Sequence, residues 1–204
     1  EQAYEDYEFL QIYQKVHHFC VVDMGAFYLD IIKDRLYTTG RDSLPRRSAQ
    51  TAMFHILEAL TRWIAPVTSF TAEEIWAEIP GDRDETVFLA TWYDGLFGLG
   101  DDAERERWRH VIAAREVVSR GIETLRKAGE VGSSLGSVVT VYAEGDVHDA
   151  LASLGDELRF ILITSGAELA PLAEAPADLA RVELEGGEVA VAVRASTDPK
   201  CVRC

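Results

Sequence analysis

The sequence predicts a mainly α-helical protein that ends in a smaller α/β domain. Three observations predict this class: apolar stripes with helical spacing continue as far as Lys127, β-branched and aromatic runs begin after Gly132, and Gly186-Gly187 separates two segments of alternating polarity. With 204 residues, of which 48% are hydrophobic, the chain is long enough to bury one sizeable core or two smaller ones.

The first two helical stripes meet at Gly25, which predicts a kink or a break between them. The turn signal of residues 39–43 ends the second stripe. Ser43 and Pro45 then predict an N-cap and a first-turn proline for the next helix, and Pro66 marks the end of that helix. The stripes consist of Phe9, Ile12, Tyr13, Val16, Phe19 and Cys20, then Phe27, Tyr28, Ile31, Ile32 and Leu36, then Ala49, Met53, Ile56, Leu57, Leu60 and Ile64.

Two further helices are expected before the composition changes. Thr71 and Glu74 fit a capping box at the start of a short helix. The stretch from about Asp101 to Lys127 is the second, and Gly129 just beyond it suits a carboxy-terminal cap. The first of these helices thus has a predicted start, and the second has a predicted end.

Strands are predicted in the remaining part of the chain. Two β-branched runs flank a short helical pattern near Leu151, and Gly186-Gly187 suits a two-residue hairpin. We expect the segment from Ser165 to Asp178, which holds two prolines, to be a loop joining the halves of this small α/β unit. The predicted strands cover residues 138–142, 160–164, 182–184 and 189–193.

Charge and motifs exclude several classes of function. The net charge of −15 argues against a general nucleic-acid binder, because neutralising phosphates requires lysine and arginine. No long apolar run and no secretory signal are present, so we expect a cytoplasmic protein with no membrane partner. No P-loop, dinucleotide glycine fingerprint or metalloprotease motif occurs either, and we expect no catalytic residues.

Two segments of this acidic chain nevertheless carry a net positive charge, and we call them the positive islands. Residues 33–47 carry five basic side chains against two acidic ones, and residues 105–127 carry seven against three. Cations at a helix end also suit the helix dipole without any further function. A basic patch edged by an aromatic ring, however, can hold phosphates and stack an unpaired base. The candidates for nucleic-acid contacts are Lys33, Arg35, Tyr37, Arg41, Arg46 and Arg47.

Cys201 and Cys204 form the one metal-like feature. Two thiolates at this spacing can bind one zinc ion, but zinc takes four ligands and no further Cys or His lies nearby, so the pair is at most half of a site. An unrelated cysteine pair in a frayed tail and a redox pair are the alternatives.

Several segments resemble bacterial isoleucyl-tRNA synthetases, in the order in which that family carries them. The resemblance covers nearly the whole chain and corresponds to the carboxy-terminal third of the family. The matching segments are Phe19-Cys20, residues 28–37, residues 59–66, residues 69–74, residues 92–96 and residues 154–160.

The resemblance implies a helical-bundle anticodon-binding domain of class I synthetases over residues 1–130, a small α/β junction domain over 131–195 and the truncated start of a zinc knuckle over 196–204. It implies a fragment of a monomeric parent enzyme whose partner is the isoleucine-acceptor tRNA. The parent's zinc would be held in part by Cys201 and Cys204. Its ATP and magnesium would bind a catalytic domain that is missing here, so we expect the fragment to need no cofactor.

Two alternative hypotheses of function remain beside tRNA binding. In a protein-interaction scaffold the stripes are core and the basic islands only balance neighbouring acids. In a free-standing thiol oxidoreductase the pair Cys201 and Cys204 is the reactive group.

Overall fold

The computed structural model describes residues 1–98 and 101–199. The chain divides into two compact units, Glu1–Gly98 and Leu99–Cys204. The first is helical and the second combines helices with a four-stranded sheet. The predicted fold class, mainly α with a smaller α/β part, is therefore confirmed.

A small apolar core lies in the first unit. Its buried cluster consists of Ala65, Ala72, Trp76, Ile79 and Val87. These residues come from the end of one helix, from the next helix and its carboxy-terminal cap, and from a short 3-10 turn, so the core joins three consecutive elements. The elements are α1 (Gln2–Glu5), α2 (Phe9–His18), a π-helical segment (Phe19–Tyr28), α3 (Leu29–Thr38), α4 (Leu44–Ile64), α5 (Ser69–Glu78) and the 3-10 turn Val87–Leu89.

The chain does not break at Gly25. It continues from α2 into α3 through the π-helical segment, whose wider turns replace the expected kink or break. A Cβ atom at Gly25 would lie 3.2 Å from the carbonyl oxygen of Cys20, five residues earlier. Glycine therefore suits this tightly approached position in the π-helical turns.

The predicted capping box at Thr71 is wrong. Helix α5 begins at Ser69 after the N-cap Thr68, so Thr71 lies inside the helix. The carboxylate of Glu73, rather than that of Glu74, makes the notable contacts: it accepts hydrogen bonds from the Thr86 hydroxyl and, at 3.1 Å, from the Val87 backbone N–H. A residue next to the expected one thus fastens the following loop to α5.

The second unit combines helices with a mixed sheet. The helices are α6 (Asp102–Lys127), α7 (Gly145–Ala152) and α8 (Leu158–Leu162), and the strands are β1 (Ser137–Ala143), β2 (Gly166–Pro171), β3 (Arg181–Leu184) and β4 (Gly187–Ala195). The strand order in the sheet is β2-β1-β4-β3. Strands β1 and β2 are parallel, whereas β4 is antiparallel to both β1 and β3.

Helix α6 packs on this sheet. Gly121 allows the close approach, because a Cβ atom there would lie only 3.0 Å from Cγ2 of Val193 on β4. Val118 and Ile122 beside it are buried. The compact units consequently divide before α6, ahead of the boundary at residue 130 that the sequence suggests, and the domain limits 1–130, 131–195 and 196–204 stay predictions.

Both ends of α6 lie close to the positions predicted from the sequence. Asp101 caps the start, since its Oδ1 accepts a hydrogen bond of 2.9 Å from the backbone N–H of Ala103. At the other end Gly129 has a φ of +78° and donates to the carbonyl oxygen of Arg126, while Glu130 donates to that of Leu125. This pair of bonds is a Schellman motif, which confirms the predicted carboxy-terminal cap.

The predicted strand at residues 160–164 is wrong. Residues Leu158–Leu162 form α8, in which Leu158, Ile161 and Leu162 are buried at helical spacing. Ile163 then adopts a left-handed conformation and ends the helix. A short apolar run has the same sequence appearance in a buried helix and in a strand, so packing decides between them.

The missing strand, β2, lies inside the segment 165–178 that the sequence presents as a loop. It pairs in parallel with β1, and Val138 faces Gly166 in the register. The predicted hairpin does form, but Leu184 pairs with Gly187. Its two-residue turn is therefore Glu185-Gly186, one position earlier than expected.

Candidate nucleic-acid interface

The six predicted contact residues lie around one helix–turn–helix junction of the first unit. Lys33, Arg35 and Tyr37 belong to α3, Arg41 belongs to the connecting turn, and Arg46 and Arg47 follow in the first turn of α4. Helices α3 and α4 contact each other, so the junction is a packed corner rather than a free linker.

Hydroxyl groups hold the turn between these helices. The Thr38 hydroxyl donates 2.6 Å to the Asp34 carbonyl oxygen, and the Thr39 hydroxyl donates to the Arg35 carbonyl oxygen. The backbone N–H of Ser43 donates 3.1 Å to the carbonyl oxygen of Gly40. The turn thus has a defined conformation while residues 40–42 stay exposed.

Ser43 is the N-cap of α4, as predicted, but its side chain does not cap the helix. Its hydroxyl donates instead to Oγ1 of Thr39 at 3.0 Å. Pro45 lies in the first turn of α4, as predicted.

Three of the candidate arginines have no acidic partner in the part of the chain that the structure describes. In the described ranges 1–98 and 101–199, no carboxylate oxygen lies within 4.0 Å of the guanidinium groups of Arg41, Arg46 or Arg47. Arg47 donates only to the side-chain oxygen of Gln50, at 3.4 Å. The Nε atom of Arg46 is buried and has no hydrogen-bond partner among the described residues. Within the described ranges, the charges of these three arginines are therefore not neutralised by ion pairs with neighbouring acids.

The other candidates at the junction differ from these arginines. Nζ of Lys33 lies 2.8 Å from Oδ1 of Asp30, one helical turn earlier, so its charge is paired. Arg35 faces Tyr28: burial raises the pKa of the Tyr28 hydroxyl, and the positive charge of Arg35 opposes that rise. Tyr37 is 72% exposed, which leaves its ring open to a stacking partner.

Most of the second positive island is neutralised within its own helix. In α6 an acidic residue stands three positions before each of four arginines, a spacing that brings the side chains together on one helical face. The pairs are Asp102 with Arg105 at 2.9 Å, Glu104 with Arg107, Glu106 with Arg109, and Glu123 with Arg126 at 2.6 Å. Arg115 is engaged differently, because its Nε donates 3.1 Å to the Ile161 carbonyl oxygen.

A charged cluster surrounds Glu58, and it was not predicted from the sequence. Glu58 is only 4% exposed, and its carboxylate accepts hydrogen bonds from two guanidinium groups, those of Arg62 and, at 2.9 Å, Arg83. Both guanidinium groups also stack on Trp76, at 4.7 Å and 4.6 Å from the ring centroid. Burial alone raises the pKa of Glu58, but the hydrogen bonds from the two arginines outweigh it and hold the pKa below its ordinary value.

Tyr93 extends the same cluster. Arg62 lies 5.2 Å from the centroid of its ring, and its hydroxyl lies 2.6 Å from Nδ1 of His55 on α4. Only the Glu58 and Arg62 pair, four residues apart on one helix, carries a signal in the sequence. The cluster fastens the loop of residues 80–98 onto α4 and α5. Its role is therefore to stabilise the fold.

The predicted zinc ligands Cys201 and Cys204 lie outside the described residues. Across residues 1–98 and 101–199, no group of three or more His, Cys, Asp or Glu side chains is arranged to hold a metal ion. In the same ranges, none of the helices combines the length and the apolar character that crossing a membrane requires.

Comparison with known proteins identifies the family. Residues 1–141 match the family described as "Anticodon-binding domain of tRNA ligase". Because the match covers more than half of the chain, the chain belongs to this family.

The most similar relatives include three bacterial isoleucine–tRNA ligases. Those of Methylococcus capsulatus, Nitrosococcus oceani and Pseudomonas paraeruginosa are 54%, 55% and 55% identical to this chain. Each alignment covers the whole chain but only 22% of the relative. The chain thus spans about a fifth of the length of the relatives it matches, which agrees with the resemblance to isoleucyl-tRNA synthetases found in the sequence.

Proposed function

We propose that this chain binds the isoleucine-acceptor tRNA near its anticodon through the corner between α3 and α4. The observation that carries the proposal is the set of three arginines, Arg41, Arg46 and Arg47, that have no acidic partner within residues 1–98 and 101–199 and lie around one turn beside the exposed Tyr37. A looped polyanion with unstacked bases needs both kinds of group. Family membership and the relatives' printed names support the choice of tRNA as the ligand.

The distribution of charge supports this corner over the rest of the surface. Releasing counterions from phosphates favours binding only if the protein's cations are not already neutralised. Arg105, Arg109 and Arg126 of α6 are paired with acids, so they give up an existing partner when they contact RNA. Helix α6 accordingly has a secondary role in the proposal, as a support for the tRNA stem.

We further propose that this chain is part of a larger isoleucine–tRNA ligase. In that enzyme the chain holds tRNA while an ATP- and magnesium-dependent domain joins isoleucine to the tRNA. The ligase is monomeric and cytoplasmic, where tRNA is used. Its zinc site includes Cys201 and Cys204.

A filter-binding titration with the isoleucine-acceptor tRNA at several salt concentrations tests the proposal. We expect saturable binding that weakens steeply with salt and prefers this tRNA over others. Changing Arg46→Ala together with Arg47→Ala should weaken binding. The slope of log K against log salt should also fall, by about one for each phosphate that the variant no longer touches.

The matched control is Arg105→Ala with Arg109→Ala, which removes the same formal charge from acid-paired positions. It should change the affinity much less than the first double variant. No saturable binding by the wild-type chain would favour the protein-interaction scaffold instead. Equal losses in the two double variants would remove Arg46 and Arg47 from the interface.

A further inference from the structure

A chain of hydrogen bonds links the start of α4 to the end of α3. The Ser43 hydroxyl donates 3.0 Å to Oγ1 of Thr39, and the Thr39 hydroxyl donates in turn to the carbonyl oxygen of Arg35. Each hydroxyl in such a chain polarises the next, so the two bonds strengthen each other. Neither Thr39 nor Ser43 is among the residues assigned above to RNA contact.

The role of Ser43 in this chain is unusual for an N-cap. A serine at this position ordinarily accepts a hydrogen bond from the backbone N–H of the second or third helical residue. Here the second residue is Pro45, which has no N–H, and the third is Arg46, yet the Ser43 side chain makes no cap bond. Its hydroxyl therefore stabilises the turn instead of the helix.

The two hydroxyls contribute hydrogen bonds to an otherwise exposed turn. Gly40 has no described atom within 4 Å of the place where a Cβ would be, and residues 40–42 are exposed. Within the described residues, the hydrogen bonds that close the turn are the backbone bond from Ser43 to Gly40 and the chain through Thr39. Without the Thr39 hydroxyl the residues from Gly40 to Ser43 would gain conformational freedom.

We propose that Thr39 and Ser43 are positioning residues for tRNA binding: their hydrogen-bond chain fixes the turn so that Tyr37, Arg41 and Arg46 meet the RNA from one ordered corner. The inference rests on the proposed function. Tyr37 lies two residues before Thr39 and Arg41 two residues before Ser43, so the chain spans the backbone that carries them. An ordered corner binds more tightly because its side chains lose less freedom on binding.

The test uses Thr39→Val, which keeps the β-branched shape and removes the hydroxyl, and Thr39→Ser, which keeps the hydroxyl. Affinity for the isoleucine-acceptor tRNA is measured by filter binding at several salt concentrations, with the thermal midpoint of each variant. We expect Thr39→Val to bind on the order of fivefold more weakly, with an unchanged salt slope because the same phosphates are contacted. Thr39→Ser should bind like the wild type, and Ser43→Ala like Thr39→Val.

A double-mutant cycle separates positioning from general loosening of the fold. Thr39→Val is combined with Arg46→Ala and Arg47→Ala. If Thr39 acts in part through these arginines, its effect should become smaller when they are absent, and the remaining effect acts through Tyr37 and Arg41. Independent, additive losses in the cycle would overturn the inference.

The outcomes distinguish this inference from the function on which it rests. If the wild type binds tRNA and the arginine variant loses affinity, but Thr39→Val and Ser43→Ala bind normally, the positioning role is wrong and the proposed function stands. If the wild type shows no saturable tRNA binding, the proposed function fails and the positioning role fails with it.

Discussion

Nη2 of Arg83 lies 2.9 Å from Oε1 of Glu58, a carboxylate buried in the first unit. The two residues are 25 positions apart, one on α4 and the other in the loop that follows α5. Taking a carboxylate out of water costs several kcal/mol, and two guanidinium groups offset that cost here. Removing one partner leaves the others buried without their counter-charge, which makes this contact a sensitive test of the fold.

Replacing Glu58→Gln should destabilise the first unit. The amide keeps the size of the carboxylate but leaves Arg62 and Arg83 partly buried without a negative charge, so we expect a loss of about 3 kcal/mol in the free energy of unfolding. Urea denaturation at neutral pH measures it. Glu78→Gln, the same change at an exposed position of α5, should cost no more than about 0.5 kcal/mol. Similar losses in the two variants would contradict the role given to the cluster.

Acid should remove the advantage of Glu58. Because its pKa is held below the ordinary value, the contribution is complete above about pH 4.3 and is lost as the pH falls through the lowered pKa. The stability difference between the wild type and Glu58→Gln should therefore be constant near neutrality and shrink in acid. Urea titrations at a series of pH values measure this difference, and a difference of the same size at pH 3 and pH 7 would show that folding does not lower the pKa of Glu58.

Gly186→Ala should destabilise the second unit. An added Cβ would lie 2.7 Å from Cε1 of the buried His110, and the φ of +86° is unfavourable for alanine. Together the clash and the strain should cost about 2 kcal/mol or more. Gly132→Ala is the control, since nothing lies within 4 Å of its Cβ position, and it should change stability by less than about 1 kcal/mol. Equal unfolding midpoints in urea for the two variants would refute the packing argument.

Tyr37→Ala should weaken tRNA binding if the exposed ring stacks on a base. Stacking of this kind contributes about 1–3 kcal/mol per base, whereas Tyr37→Phe keeps the ring and should keep the affinity. Tyr7 offers a matched control in the same unit, because it is 77% exposed and lies outside the α3–α4 corner. Filter binding should show a loss for Tyr37→Ala alone. A Tyr7→Ala variant that loses as much would indicate a nonspecific effect.

Local sequence signals predicted much of the fold. Helix α6 begins and ends where Asp101 and Gly129 indicate, because caps act within one turn of the chain. The hairpin also forms, one residue from its predicted position. Local signals failed at α8, since the apolar run of residues 158–162 is compatible with two conformations and only burial against neighbouring elements selects the helix.

The sequence predicted which segment forms the candidate interface, but it did not predict the side-chain contacts within that segment. The sequence placed Arg41, Arg46 and Arg47 near one turn, because residues close along the chain around a turn stay close in space. It did not reveal that Lys33 is paired while these arginines have no acidic partner among the residues described, nor that Ser43 bonds to Thr39 instead of capping α4. These contacts depend on side-chain conformations, which the local sequence does not specify.

The sequence by itself determined the helical first part, the α/β second part, the family and the position of the basic turn. These properties depend on periodicity, caps and local charge, which act over a few residues. Only the tertiary structure decided that α6 packs on the sheet, that β2 pairs with β1 and that Arg83 reaches Glu58. Such contacts join residues far apart in the chain, so they form only when the whole backbone brings complementary surfaces together.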